Sequence, residues 1–518
     1  MAEPRPSPRQ NSRPMSQPSV QSSLAHRPSV SPQRSFSIRE ELTDWQKPIG
    51  QNLSSAIASS GHADCSGTDS IATQPAIFLT GSPLRHITTM TLTASIGLLT
   101  MFIVDFADLF YIAQLADSSL TAAMGFAATI LFFATAFHIG LMIATSALAS
   151  RHIGQGNPDQ ARRYLTNILV LSIALIVPLA ILFFIFAPAI LQLAGANGAA
   201  NRAATGYIRI FAPFLPFSVT AMVCSGFLRA HGAARKAMNV TLSMGITNAI
   251  LDPIFIFGFG WGINGAAVAS ACAAIVSAVF AIWPIAKSYG GFSRFSLAEF
   301  HQDLSPILRL LIPAILTNIA TPVGGFISYR FVADYSDDVI AGFAVVGRVV
   351  PVAFCLMFSL SGAIGPIIGQ NFGALQFDRV RTTINQAAIF ALGYALLIWP
   401  ILYLLSDPIS DAFHLVGEGR HVFWLFAVLL TPLFFFNGML FIGNAACNNL
   451  GHPIWSTVMN WLRNTLGLLP FLWFGREYLG LDGIVLAPAI GGIIFGVAGY
   501  AVAQYLVNLR QQQAALTV

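Results

Sequence analysis

Residues 164–187 read Tyr-Leu-Thr-Asn-Ile-Leu-Val-Leu-Ser-Ile-Ala-Leu-Ile-Val-Pro-Leu-Ala-Ile-Leu-Phe-Phe-Ile-Phe-Ala, without a single charge. A hydrocarbon core about 30 Å thick needs roughly 20 helical residues, and this run supplies them. A β-barrel strand would instead be about 10 residues of alternating character. Outward from this stretch, residues 87 to 507 are one apolar run after another. Polar, Gly and Pro breaks divide them into twelve expected spans, near 87–115, 119–150, 160–187, 203–230, 234–258, 263–287, 304–333, 338–370, 378–405, 420–449, 452–476 and 481–507. Several exceed the minimum, which leaves room for tilt and kinks. The composition agrees: 518 residues, 55% hydrophobic and 9% charged, with a mean hydropathy of +0.68. A soluble domain carries about 25% charged residues, so this chain cannot cover a water-facing surface. The sequence predicts an all-α membrane protein of twelve transmembrane helices.

The flanks differ. Residues 1–86 are rich in Ser, Pro, Gln and Arg, with Pro4, Pro6, Pro8, Pro14, Pro18, Pro28 and Pro32 in the first part. Such a segment buries too little apolar surface to offset its ordering entropy, and a disordered cytoplasmic tail is expected. It has no apolar stretch near its start, so a secretory signal is not expected, and Glu40, Glu41 and Asp44 argue against a transit peptide. Residues 508–518 are read as a short C-terminal tail. Cys65, Cys224, Cys272, Cys355 and Cys447 are scattered and form no CxxC pair. The last four are expected to be small packing residues.

Loop charges set the orientation. One alternate set of loops carries Arg151, Arg162, Arg163, Arg229, Arg235, Lys236, Lys287, Arg294, Arg309, Arg379 and Arg381. The other carries Asp117, Asp334, Asp337, Asp338, Asp407, Asp411, Glu418, Glu477 and Asp482, with only Arg202, Arg420 and Arg476 as basic members. The positive-inside rule places the first set, and with it both termini, in the cytoplasm. The pI near 9.0 follows from that bias and the basic tail. No aromatic-basic pattern for nucleic acid accompanies it.

An internal repeat is visible. Ile153-Gly-Gln-Gly156 followed by Arg162 recurs as Ile368-Gly-Gln-Asn371 followed by Arg379 and Arg381. Leu120-Thr-Ala-Ala-Met-Gly125 is echoed by Val339-Ile-Ala-Gly-Phe343, and Ile263-Asn-Gly-Ala266 by Leu481-Asp-Gly-Ile484. The offsets match six spans, an even number, so both halves cross the membrane the same way up. The expectation is two six-helix bundles, 87–290 and 291–507, related by a pseudo-two-fold axis along the membrane normal. A duplicated channel or receptor would share this plan.

A charge at the middle of a spanning helix costs about 2.5–3.5 kcal/mol on insertion scales, so interior charges are informative. Here they are Asp105 and Asp108 in the first span, Asp252 in the fifth, and Arg330, Arg348 and Arg463 in the second half. At 1.5 Å per residue, Asp108 lies roughly 10 Å and Asp252 roughly 9 Å from the outer boundary, with Ser270 of the sixth span at a similar depth. Asn248 precedes Asp252 by four residues and shares its helix face. Two carboxylates, an amide and a hydroxyl at one level can trade a proton, a metal cation or an organic cation. Asp105, one turn below Asp108, is read as support, with Tyr111 and His138 as further supporting candidates. Arg330 is expected to snorkel at a helix end, and Arg348 and Arg463 to pair with carbonyls or shape a second-half cavity.

Two motif readings fail. Gly260-Trp-Gly-Ile-Asn-Gly265 fits GxGxxG but joins two apolar helices rather than a strand and a helix. No GxxxxGK[ST] exists, since the only lysines are Lys47, Lys236 and Lys287 and none follows glycine. No His/Cys cluster has zinc spacing.

Several stretches resemble the multidrug and toxic compound extrusion (MATE) transporters. Val104-Asp-Phe-Ala-Asp108-Leu-Phe-Tyr-Ile-Ala113 looks like their first-helix pattern, and Ile153-Gly-Gln-Gly-Asn-Pro-Asp-Gln-Ala-Arg162 like their loop after helix two. Asn248-Ala-Ile-Leu-Asp252-Pro-Ile-Phe-Ile-Phe-Gly258 and Gly262-Ile-Asn-Gly-Ala-Ala-Val-Ala-Ser270 look like their fifth and sixth helices. The resemblance covers 87–507. It implies a V-shaped pair of six-helix bundles exporting organic, often cationic, compounds in exchange for H⁺ or Na⁺. Residue by residue it places Asp108, Asn248, Asp252 and Ser270 on the first-lobe cation site, so that Na⁺ would sit at Asp108 and Asp252. The acids that some members carry in helices seven and ten are absent; Thr317, Asn318 and Thr321, and Asn437, Asn444 and Asn448, stand in those spans. That departure points to the DinF-like branch.

The expected function is therefore a secondary antiporter of a bacterial inner membrane, a monomer without cofactor beyond its coupling ion, and not an enzyme. Its partners are small-molecule substrates and the lipid bilayer. The alternatives are a lipid-linked precursor flippase of the same superfamily, which would favour a basic cavity, and an intramembrane aspartyl protease, whose GxGD motif is missing.

Overall fold

The structure, a computed structural model, describes residues 76–115 and 117–516. The described residues form helices and no strands. The first half contains α1 (Pro83–Ala113), α2 (Ser118–Gly154), α3 (Pro158–Leu193), a fourth crossing built of α4 (Gly198–Phe211) and α5 (Leu215–Ala230), then α6 (Ala234–Pro253) and α7 (Gly262–Ser288). The second half contains α8 (Leu297–Val332), a crossing bent by 43° between α9 (Asp337–Ala353) and α10 (Cys355–Gly373), and α11 (Phe377–Ala412). It continues with α12 (Gly417–Leu425) and α13 (Thr431–Asn449), α14 (Pro453–Asn464) and α15 (Leu469–Leu479), and α16 (Leu481–Ala515). Among the described residues, ten helical segments are long and apolar enough to cross a membrane, and the bent pair makes an eleventh.

The same crossings pair in both halves. First packs on fifth (α1 on α6, α8 on α14), second on fourth (α2 on α5, α10 on α13), and fourth on sixth (α5 on α7, α13 on α16). The duplication seen in the sequence is therefore a duplication of packing.

Three expectations change. The span expected near 452–476 is two short helices, because Thr465 and Leu468 leave the helical conformation. Non-helical backbone is tolerated at membrane depth only where protein encloses it. Here Gly467 packs against Phe495 and against the backbone of Gly491. Of the tail expected to be disordered, 1–75 lie outside the described residues, while 76–86 are ordered. A 3-10 turn at Ile77–Leu79 leads into α1 at Pro83, and Phe78 is buried. At the other end, α16 runs on to Ala515, so most of the expected tail 508–518 continues the last helix.

What orders 76–81 is a set of partners almost 300 residues away. The Phe78 N–H donates to Gln370 Oε1 at 3.0 Å, and its carbonyl accepts from Asn371 Nδ2 at 3.2 Å and Arg379 Nη2 at 2.9 Å. Gln370 Nε2 in turn donates to the Ala230 carbonyl at 2.7 Å. Arg151 Nη2 donates to the Asn449 carbonyl at 3.0 Å, and Arg163 makes two hydrogen bonds to Asp303, Nε at 2.9 Å and Nη2 at 2.6 Å. These bonds between the halves gather at the end that carries the Arg-rich loops.

Burial follows the same gradient. On the facing helices, residues 147–151 and 363–371 are buried without exception. Toward the other end, Phe132, Phe133, Phe326 and Tyr329 are exposed. The hydrogen bonds and continuous burial that join the halves are concentrated at one end. The turns at the far end are tied within single halves. Asp117 caps α2 by accepting from the Ser119 N–H at 2.8 Å, which holds its carboxyl below the usual range. Asp334 is held low likewise, by Arg476 at 3.0 Å and by Arg330.

Candidate functional site

Four crossings of the first half converge on one polar cluster. Asp108 comes from α1, Asn248 and Asp252 from α6, Ser270 from α7 and Tyr207 from α4, and all five are buried. Asp252 is at 0% exposure, one residue before the proline that ends α6. Beyond Pro253 the helix widens into a π-helical turn over Ile254–Gly258.

The cluster is a continuous chain of hydrogen bonds. The carboxyl groups of Asp108 and Asp252 lie close enough to interact directly. With its amide oriented so that both ends are satisfied, Asn248 donates to the Asp252 carboxyl and accepts from Ser270 Oγ at 3.1 Å. The Tyr207 hydroxyl lies 3.3 Å from Ser270 Oγ. An ionised carboxylate only accepts, so two carboxyls bond to each other only when one holds a proton. Remove that proton and two like charges face each other in a dry interior, an arrangement that a cation must relieve.

The structure thus brings together Asp108, Asn248, Asp252 and Ser270 as the spacing predicted. Asp105 is exposed and outside the chain of bonds, although near enough to act electrostatically on Asp108. Tyr111 does not join the chain either; its ring packs edge-on against Phe257, with centroids 6.0 Å apart. His138 is buried on α2 with no hydrogen-bond partner at Nε2. Tyr207 was missed. Placing the start of the fourth span near 203 put it close to the surface, whereas α4 begins at Gly198 and carries it about 14 Å inward.

Among the described residues no three His, Cys, Asp or Glu side chains gather to hold a metal ion. Two carboxylates with an amide and a hydroxyl are oxygen donors, which suit a proton or Na⁺ better than a transition metal. Among the described residues the second half shows no such pair of buried acids. Where α8 meets α14, a Cβ on Gly324 would collide with the Asn464 amide. Nearby polar groups are amides: Asn460 Nδ2 donates to Asn444 Oδ1 at 2.9 Å, and Arg463 donates to Asn437.

Comparison with known proteins places this arrangement. A 28% identical relative, aligned over 437 residues, is the FAD transporter of Shewanella oneidensis; the match covers 81% of this chain and 94% of that one. Another, 25% identical over 423 residues, is the multidrug export protein MepA of Staphylococcus aureus, covering 79% and 91%. The solved structure of the Vibrio cholerae MATE transporter VcmN in its bent form superposes with a TM-score of 0.79 at 24% identity, over 83% of this chain and 98% of that one, and shares its fold. A family model described as MatE matches twice, at 94–254 and 313–473, once in each half. The chain belongs to the MATE family of membrane transporters.

Proposed function

We propose that this protein is a secondary antiporter of the DinF-like branch. It exports amphipathic organic compounds with a cationic centre in exchange for H⁺ or Na⁺, and couples the two through Asp108 and Asp252. The observation that carries this reading is the pair of buried carboxyl groups, Asp108 and Asp252, brought close enough to interact inside the first half. The pair has two chemical states, one neutralised by a proton or cation and one that attracts a positive charge. An exchanger needs such a bistable element, because ion and substrate must bind the two states of the carrier differently.

Orientation completes the cycle. Bonds between the halves lie at the end with the Arg-rich loops, and the positive-inside rule puts those loops in the cytoplasm, which supports reading both termini as cytoplasmic and the carrier as outward-open. In that state a proton or Na⁺ occupies the pair, and substrate leaves. After the halves rock over, the emptied pair recruits the next substrate from the cytoplasmic side. Asn248, Ser270 and Tyr207 hold the carboxyls in place during the exchange. The two relatives are named for different cargo, so the reading rests on the site. A bacterial plasma membrane and a monomeric carrier belong to the same proposal, and a flippase with a basic cavity fits the acidic first half less well.

The test is transport by the full chain in proteoliposomes. Efflux of the cationic dye ethidium is expected under an imposed pH gradient or an imposed Na⁺ gradient, whichever ion fits the pair. Flux that ignores both gradients would refute antiport.

A further inference from the structure

The segments that lead into the first helix of each half are held by the opposite half. Residues 289–296 enter α8 of the second half. Arg162 of α3 donates to the Gly290 carbonyl at 2.8 Å, and the Ser293 N–H donates to Thr166 Oγ1 at 3.0 Å. Residues 76–82 enter α1 of the first half. Arg379 of α11 donates through Nη2 to the carbonyls of Phe78, Thr80 and Gly81 at 2.9, 3.3 and 3.2 Å. Arg162 and Arg379 both stand in the opening turns of a third crossing. The arrangement is reciprocal, but the tethers differ. The first segment is joined to a spanning helix at each end, α7 and α8. The sequence before residue 76 holds no apolar run long enough to span, so α1 alone ties the second segment to the membrane.

This second segment, the strap 76–81, lies across the seam between the halves. Toward the second half, Phe78 is buried in the same cluster as Ile367, Ile368 and Phe377. Its N–H donates to Gln370 Oε1 at 3.0 Å and its carbonyl accepts from Asn371 Nδ2 at 3.2 Å, both on α10. Toward the first half, Gly232 in the turn between α5 and α6 faces the strap. A Cβ there would collide with Ile77 and stand 3.0 Å from Phe78 Cζ. The same two residues therefore touch both halves, and contacts on one side must break when this end opens. The bonds from Arg379 to Thr80 and Gly81 are exposed and exchange for water at little cost. The Phe78 ring and its two buried hydrogen bonds supply most of the hold.

We infer that the strap is a latch: it keeps the Arg-rich end closed, and it leaves at least one half each time that end opens. This rests on the reading that the halves rock during transport, and is independent of the ion and the cargo. Gly81, at φ +74°, is the joint between the strap and α1, a conformation that favours glycine.

Thiol labelling of the purified full chain tests it, without gradient or substrate. Ser150 on α2 is fully buried, and its Oγ meets the place where a Cβ on Gly369 of α10 would stand, so the second half itself covers it. In a chain whose other cysteines are replaced, Ser150→Cys reacts with a water-soluble maleimide only as the halves part, at a rate that follows the open population. Adding Phe78→Ala should raise that rate by about tenfold or more, and adding Arg379→Gln by about threefold. A second chain that keeps only Cys224, fully buried within the first half, should label no faster with either substitution. Unchanged labelling at position 150 in either variant, or slower labelling, overturns the inference, because the strap then does not hold the end closed. Equal acceleration at Cys224 overturns it too, since the substitutions then loosen the fold as a whole. Should Phe78→Ala fail to fold, Arg379→Gln, which removes half-buried and exposed contacts, decides alone. No transport is measured, so this failure is separate from a failure of antiport.

Discussion

Replacing Asp252 or Asp108 by asparagine is expected to remove gradient-driven export, on the order of a hundredfold, while the protein still inserts and folds. The size follows from coupling energies of about 1–3 kcal/mol between sites, which correspond to roughly 5–150-fold in affinity. Asparagine keeps the shape and can still hydrogen bond to the remaining carboxyl, so the polar chain through Asn248, Ser270 and Tyr207 survives. What it removes is the negative charge that a proton or Na⁺ would neutralise. Efflux and membrane insertion measured on the same preparations separate the two effects. Wild-type efflux by both variants would exclude the pair from coupling.

The second large effect lies far from the acids. Gly154 ends α2 at the joined end, and a Cβ there would collide with the carbonyl oxygen of Gln370. The two backbones touch, so the neighbour cannot yield as a flexible side chain would. Forcing a side chain into a packed contact costs about 1–3 kcal/mol. Applied to an equilibrium between two arrangements of the halves, that shifts their ratio by roughly ten- to a hundredfold. Gly154→Leu is therefore expected to hold the Arg-rich end open, leave each half folded, and stop turnover. Spin labels at the exposed positions Asp159 and Asp378, in a chain with its cysteines replaced, should report longer distances than in the parent. An unchanged distance distribution with normal efflux would show that this contact does not limit closure.

The crossings were legible because lipid imposes a simple rule: long apolar runs, separated by polar turns. The same rule hid the break at 465–468. Trp461 to Phe474 is mostly apolar and was read as part of one span, although Arg463, Asn464, Gly467 and Pro470 interrupt it. The ordered strap at 76–81 was invisible for a different reason. Its partners Gln370, Asn371 and Arg379 lie far along the chain, and a polar, Pro-rich context reads as disorder until they are known.

In the site, depth arithmetic found Asp108, Asp252 and Ser270, since helix rise is constant. It failed for Tyr207, where the span start was misplaced by about a turn and a half. Helix periodicity put Asp105 beside Asp108, yet the structure leaves it outside the hydrogen-bonded chain. Spacing places residues on a helix; it does not choose which of two neighbours meets the next helix.

Whether substrate and coupling ion compete for the same two carboxyls can be read without transport. Equilibrium affinity for ethidium is measured on the purified full chain while pH and Na⁺ are varied, for the wild type and for Asp252→Asn. Affinity should fall by about tenfold or more as the coupling ion fills the wild-type pair, and the variant should be insensitive to that ion. A wild-type affinity indifferent to both pH and Na⁺, or an unchanged ion dependence in the variant, would contradict the account.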